Sequence, residues 1–307
     1  PLMSQPFALA CRDGLNVNLN QLEIMRQPGL ATELLNFEVD PDGGYRRING
    51  FTLFGGGSSA RPNSSNRILG LAVYADGLIA CSGTGIFFSQ DGTSWLQINK
   101  ASVSASGDNF STFSGRSNDA RSSQGQCSFA LFEGTTDYGE MLICDGANKP
   151  FFFKMTGTGA LSDRTFFAGE ITVDSTTAPT VGVIHENHFV VGGAPTAKNK
   201  IFFSATLDPD SFSGTGSGSI QLTDAIVGLA SFRSDLIIFC KNSIFKLINI
   251  SDSSNIAIVP ITQNVGCLDG NSIQEIGGDL LFLSPDGIRT VAGTARIGDV
   301  ELSSVSR

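Results

Sequence analysis

The feature that most constrains this chain is a repeat. Five segments align on one strongly apolar strand followed by a polar or glycine-bearing turn and a second strand: DGLIACSGTGIFFSQDG, GEMLICDGANKPFFFKM, ENHFVVGGAPTAKNKIFFSAT, SDLIIFCKNSIFKLINI and GDLLFLSPDGIRTVAG. Their centres fall near residues 79, 142, 189, 237 and 281, so the separations are 63, 47, 48 and 44. A period of ~40–50 residues carrying about four strands is that of β-propeller blades. A generic β-sandwich of hairpins is the competing architecture. The apolar runs fall in threes: 68–74, 78–82 and 85–89; 128–133, 141–145 and 150–155; 181–185, 188–192 and 201–204; 226–232, 236–239 and 243–248; 272–276, 280–284 and 287–291. Few stretches show the i, i+3, i+4 spacing of an amphipathic helix.

Composition supports the same class. Hydrophobic residues make up 41% and charged residues 16%, against about 25% charged in an ordinary globular domain, which excludes intrinsic disorder. Glycine contributes 36 of 307 residues, and Phe (23) far outnumbers Tyr (3) and Trp (1); tight turns around phenylalanine-packed strands follow, and long helices do not. The net charge, 20 − 29 = −9, disfavours adhesion to phosphate backbones, which needs clustered Lys and Arg. No window reaches the ~18 uncharged apolar residues of a membrane helix, and the first residues lack a basic stretch followed by an apolar one, so the expectation is a soluble chain without a signal peptide. Cys11, Cys81, Cys127, Cys144, Cys240 and Cys267 never form CxxC and mostly lie inside apolar runs, which predicts buried free thiols.

The expected fold is therefore all-β, a β-propeller-like ring of about five to six blades of roughly 45 residues with an irregular N-terminal segment. Residues 1–54 do not follow the repeat and are expected to close a blade or dock on the ring, with 55–307 as the propeller-like domain. Within 1–54, residues 27–37 predict a short helix or irregular turn, 36–38 an extended stretch, 40–44 (DPDGG) a turn and 45–51 an extended segment. A polar insertion at about 100–126 and two Gly/Ser-rich segments, 55–66 and 210–219, read as exposed loops.

Chemistry-bearing motifs are sparse. The two histidines, His185 and His188, are three apart in HENH between two strands, which reads as a turn and only weakly as a metal site. Acid pairs such as Asp40/Asp42 and Asp208/Asp210 sit beside Pro or Gly as turn formers do. The glycine triplet 55–57 is not followed by GK[ST] or by a helix, so no phosphate loop is expected. Ser89-Gln90-Asp91-Gly92-Thr93-Ser94-Trp95 resembles the Asp-box of sialidase-like propellers, one residue shorter between Asp and Trp. In it Ser89, Asp91, Gly92 and Trp95 build a structural hairpin turn, and no second copy occurs. Arg46 and Arg47, with Arg61 and Arg67 after them, are candidates for contacts to a partner or a second copy. No catalytic, cofactor or metal site is expected, and the chain is read as a non-enzyme.

With these residues in view, the stretch Asn36-Phe37-Glu38-Val39-Asp40-Pro41-Asp42-Gly43-Gly44-Tyr45-Arg46-Arg47-Ile48-Asn49-Gly50-Phe51 resembles the N-x-E…G…R-R-x-G-F opening of the tail nozzle (tail tubular protein B-like) and related tail-hub proteins of tailed bacteriophages. LASFRSDLIIFCKNSIFKL and VGCLDGNSIQEIGGDLLFLSPDGIRTV resemble the propeller of the same family. The likeness implies a structural virion component, assembled in the host cytoplasm into a cyclic homo-oligomer of usually six copies. Such a ring gates DNA exit, lets DNA pass without specific binding, and touches the tail adaptor and fibre or tip proteins. Family members commonly run far beyond the DGIR strand, whereas this sequence stops at Arg307, so a small member or a truncated portion is expected. The alternative is a carbohydrate-binding or sialidase-like propeller acting in receptor recognition, which clustered exposed Trp and Tyr would favour.

Overall fold

A computed structural model describes residues 15, 20–26, 29–40, 44–50, 62, 66–98, 125–134, 138–174, 177–252 and 254–291. The chain divides into two compact units, Pro1–Leu53 and Phe54–Arg307.

In the first unit a one-turn-and-a-half helix, α1 (Gln21–Arg26), precedes an antiparallel hairpin of β1 (Phe37–Val39) and β2 (Tyr45–Arg47). The helix lies before residues 27–37, where a short helix or an irregular turn is expected and the described residues 29–36 are irregular, and its start is capped. Asn20 Oδ1 accepts from the Leu22 and Glu23 N–H groups, each at 3.0 Å, and Glu23 Oε2 accepts from the Asn20 N–H at 3.3 Å. This Asn-x-x-Glu box starts the helix at residue 21. The extended stretch expected at 36–38 overlaps β1 at Phe37 and Glu38, with Asn36 at φ 60°, and the one expected at 45–51 contains β2; Phe51 lies outside the described residues.

Among its described residues the second unit carries five antiparallel sheets in chain order, with each strand hydrogen-bonded to the next. The first blade contains β3 (Ile68–Tyr74), β4 (Gly77–Ser82), β5 (Gly85–Ser89) and β6 (Leu96–Gln97). The second contains β7 (Ser128–Phe132), β8 (Glu140–Cys144), β9 (Phe151–Thr156) and β10 (Thr165–Glu170). The third contains β11 (Val181–His185), β12 (His188–Gly192), β13 (Lys200–Phe203) and β14 (Gly218–Gln221). The fourth contains β15 (Ile226–Phe232), β16 (Asp235–Cys240), β17 (Ile244–Ile248) and β18 (Ala257–Thr262). The fifth contains β19 (Gln274–Ile276), β20 (Asp279–Ser284) and β21 (Gly287–Thr290). These are five propeller blades, each an up-and-down meander. The expected strand triplets are their first three strands, and four blades add an outer fourth strand that the sequence pattern did not show. The insertion expected at 100–126 lies outside the described residues up to residue 124.

The core lies between blades. Ile79, Cys81, Ile86 and Phe88 of the first blade pack with Met141, Ile143, Phe151 and Phe153 of the second. Leu142, Cys144 and Phe152 on the opposite face of that second blade pack with Phe189, Val191 and Phe202 of the third. Val190, Ile201 and Phe203 then meet Leu236, Ile238 and Phe245 of the fourth, and Ile237, Phe239 and Ile244 meet Leu280 and Phe282 of the fifth. A strand buried on both faces needs apolar residues at odd and even positions alike. That is why β8 and β12 are buried at every residue and read as continuous apolar runs. First strands of adjoining blades lie side by side, β7 with β11 and β11 with β15. Small residues permit that approach: a Cβ on Gly70 would lie 2.6 Å from the Phe129 ring, and one on Gly228 would lie 2.3 Å from Ile273. All five described cysteines are buried free thiols.

Candidate functional site

One hollow lies where the first strands of blades two to four begin and the chain approaches blade five. It has a volume of about 680 Å³ and is lined by Gln126, Ser128, Thr180, Lys198, Ile226, Asp269 and Asn271, among others. Its polar groups are committed locally. Asp145 accepts from the Ala147 and Asn148 N–H groups at 3.0 and 2.8 Å and from Asn148 Nδ2 at 2.6 Å, which is an Asx turn closing the β8–β9 hairpin. Asp269 accepts from Asn271 N–H and Nδ2 at 2.9 and 3.0 Å. The Thr180 hydroxyl donates to the Gly193 carbonyl at 3.1 Å. Lys198 stands exposed at the rim. Acid–base or nucleophilic chemistry requires side chains that converge on one reacting atom, and these carboxylates bind their own turns. No group of three or more His, Cys, Asp or Glu side chains capable of holding a metal occurs among the described residues.

At the opposite ends of the strands, polar groups tie blade to blade. Arg164, whose side chain is 1% exposed, donates from both terminal nitrogens to the carboxylate of Asp76 in the β3–β4 turn, at 2.7 and 2.6 Å. Its Nε and NH2 also donate to the Gly159 carbonyl at 3.2 and 2.8 Å. The guanidinium holds the Asp76 carboxyl well below the usual carboxylate range. Beneath this clamp the Tyr74 hydroxyl donates to the Gly139 carbonyl at 2.8 Å and accepts from Met155 N–H at 3.2 Å, and burial pushes its pKa up to about 12. Between blades three and four, His185 Nδ1 lies 2.8 Å from Ser231 Oγ, and Ser251 Oγ donates to Glu186 at 3.1 Å. Burial lowers the His185 pKa. His188 is fully buried, with Nδ1 2.6 Å from the Ser204 carbonyl and Nε2 3.2 Å from Thr206 Oγ1. The Nδ1 contact to a carbonyl requires the proton on Nδ1. HENH is the turn expected of it, with Glu186 and Asn187 both at positive φ and His185 paired with His188.

The residues singled out from the sequence fall in two separate places. Arg46 pairs with Glu38 across the hairpin at 2.6 Å, both side chains about half exposed. Arg47 stands opposite Phe37 on the other face and lines a hollow of about 550 Å³ with Asn36 and Ile48. The Asp-box-like segment is a turn held by short-range hydrogen bonds. Gly92, at φ 73°, donates its N–H to Ser89 Oγ at 2.8 Å. Asp91 Oδ1 accepts from the Thr93 and Ser94 N–H groups at 2.8 and 3.2 Å, and its Oδ2 accepts from the Thr93 hydroxyl. These bonds, led by the Thr93 hydroxyl, lower the Asp91 pKa to about 2. Trp95 is half-buried at the end of the turn. Sequence reading missed Asp76, Arg164 and Tyr74. Asp76 and Arg164 are 88 residues apart, so no local pattern joins them.

No family model matches this sequence, and no curated protein matches it. Solved structures do resemble the fold. The extracellular domain of the one-component system BT4673 from B. thetaiotaomicron is similar over 88% of this chain, at 12% identity and a TM-score of 0.50, and the chain spans 33% of that domain. The Neurospora crassa Pan2 WD40 domain is similar over 73% of this chain and 60% of its own, at 10% identity and a TM-score of 0.43. Citrobacter koseri AztD is similar over 76% of this chain and 57% of its own, also at 10% identity and a TM-score of 0.43. At these identities the likeness concerns the fold alone.

Proposed function

We propose that the chain is a non-enzymatic structural component of a tailed-phage virion: the propeller of a tail nozzle or hub that lines part of the DNA-ejection path and carries neighbouring tail proteins. The reading rests on the resemblance carried by residues 36–51 and by the last two repeats. One structural observation supports it. The polar side chains that the fold brings together, Asp76 with Arg164 and Glu186 with Ser251, join blade to blade instead of facing a common cavity. The net charge of −9 suits a passage to which DNA must not adhere. The ring is a homo-oligomer, with Arg46 and Arg47 as contacts to a neighbouring copy, and the adaptor above and fibre or tip proteins around it as further partners. The glycan-binding alternative draws on the Asp-box-like turn, whose carboxylate is occupied by its own backbone. Mass spectrometry and immunogold labelling of purified particles from a phage encoding this chain test the proposal. The chain is expected at the tail tip, and its deletion is expected to yield particles that fail to eject DNA. Absence from the particles, or glycoside turnover lost on a single carboxylate substitution, overturns it.

A further inference from the structure

The fourth blade packs a neighbour on each face and so shows what the two faces of a blade look like when covered. Its equivalents in the first and last blades can be read from the strand ladders. β3–β4 and β15–β16 have the same register, including a bulge at Ile68/Gly70 and at Ile226/Gly228. Leu71, Val73, Leu78 and Ala80 therefore correspond to Leu229, Ser231, Leu236 and Ile238, the face that the fourth blade turns to the third. In the fifth blade the pairs Ile276↔Asp279 and Leu283↔Ile288 match Phe232↔Asp235 and Phe239↔Ile244. Ile276, Leu281 and Leu283 thus correspond to Phe232, Ile237 and Phe239, the face that the fourth blade turns to the fifth.

The covered faces of the fourth blade are better buried than their counterparts: Leu236 and Phe239 are 0% and Ile237 4% exposed, whereas Leu78 and Leu281 are half-buried and Leu283 is 38% exposed. Leu71 and Val73 are 56% and 71% exposed where their equivalents Leu229 and Ser231 are half-buried and exposed, and Ile276 is 59% exposed where Phe232 is half-buried. No core cluster of the described residues joins the first blade to the fifth. Among the described residues the five blades thus form a series of like seams that continues at both ends into partly exposed apolar sheet faces, which monomeric proteins rarely leave contiguous. The free face of blade five is of the kind that blade four presents forward. The free face of blade one is of the kind that blade four presents backward. Each is the other's partner by the same rule that builds the internal seams.

We infer that the fifth blade of one copy seats on the first blade of a second copy, extending the blade series between molecules by a heterologous, head-to-tail contact. Ile276, Leu281 and Leu283 of one copy meet Leu71, Val73 and Leu78 of the next. Such a contact repeats around a ring when its rotation closes and along a filament when it does not. The inference rests on the oligomeric part of the reading above and adds the surface through which copies join.

Mass photometry and sedimentation velocity of the full chain, with Val73→Lys, Leu283→Lys and their mixture, test it. The unaltered chain is expected at multiples of its 32.3 kDa. Each variant alone is expected as a monomer with unchanged circular dichroism, because both sites are solvent-exposed. A mixture of the two is expected to form dimers and nothing larger, since Val73→Lys keeps a sound fifth blade and Leu283→Lys a sound first blade. Leu207→Lys, at an exposed leucine of the third blade, is expected to assemble normally. A wild-type chain that stays monomeric at tens of micromolar overturns the inference, as does either end variant retaining the wild-type size, a mixture without dimers, or loss of assembly in Leu207→Lys. These readouts use the purified chain, so they separate failure of this contact from failure of the virion assignment, which is read on particles.

Discussion

Removing Asp76 should cost more than removing Arg164, although Asp76 is the smaller side chain. Every N–H of the Arg164 guanidinium is directed at the Asp76 carboxylate, the Gly159 carbonyl or Met155 Sδ, and its side chain is almost fully buried. Asp76→Ala removes two charge-assisted hydrogen bonds and strands the cation. A fully buried pair broken in this way costs ~3–5 kcal/mol, and the 47% exposure of the Asp76 side chain admits water to the vacated side, so about 3 kcal/mol is expected. Arg164→Leu removes the buried charge itself and leaves a carboxylate that rehydrates in place. Its expected cost is about 1 kcal/mol, and the double variant should lie near Arg164→Leu alone. Urea titration of the four proteins, followed by far-ultraviolet circular dichroism and fluorescence, completes the cycle. The sign with pH is fixed as well. The folded Asp76 pKa is depressed, so the clamp contributes fully above the unfolded value of ~3.9 and is lost as pH falls below it. Equal costs for the two single variants, or a larger cost for Arg164→Leu, would refute the cross-seam role of the clamp.

Three other outcomes follow from the packing. A Cβ on Gly266 would lie 2.2 Å from the Lys241 carbonyl oxygen and 2.5 Å from Asn242 N, against backbone that cannot rotate aside. Gly266→Ala should therefore cost about 3 kcal/mol in urea titration, while Gly50→Ala, with nothing within 4 Å, should change stability by less than ~0.5 kcal/mol. Burial, with Asp208 beside it, pushes the Asp210 carboxyl up to about 6. Its contribution is present below the unfolded value of ~3.9 and is lost as pH rises through about 6. Asp210→Asn should raise the Tm at neutral pH and leave it nearly unchanged at about pH 4, as read by scanning calorimetry. Burial raises the Cys144 and Cys267 thiol pKa values and takes Cys240 up to about 12. These thiols should be silent to an aromatic disulfide reagent in the native chain and react only on unfolding.

The second strands of the first four blades were the most legible because they are buried on both faces, and this forces the runs LIACS, EMLIC, HFVVG and LIIFC. The fourth strands were not. β6 is two residues long and β14 is GSIQ, mostly exposed or half-buried, so neither leaves an apolar run. The irregular backbone over 29–36 is one of the two readings that the stretch 27–37 offered, whereas the Asn20–Glu23 box that starts α1 lies before it. The Asp-box-like turn was readable because its bonds span three residues, whereas Tyr74, Asp76 and Arg164 act across a seam that only the fold creates. Nor did the pattern show that apolar residues on the outer faces of blades one and five stand exposed: Leu283 occupies the repeat position of buried Phe239, and Leu71 that of half-buried Leu229.

A cryo-EM reconstruction of the assembled full chain tests the central claim most directly. Five sequential meander blades are predicted, with Arg164 against Asp76 between the first two and Leu283 of one copy against Val73 of the next. Strands paired out of chain order, or a map in which the first and fifth blades of each copy close on each other, would contradict it.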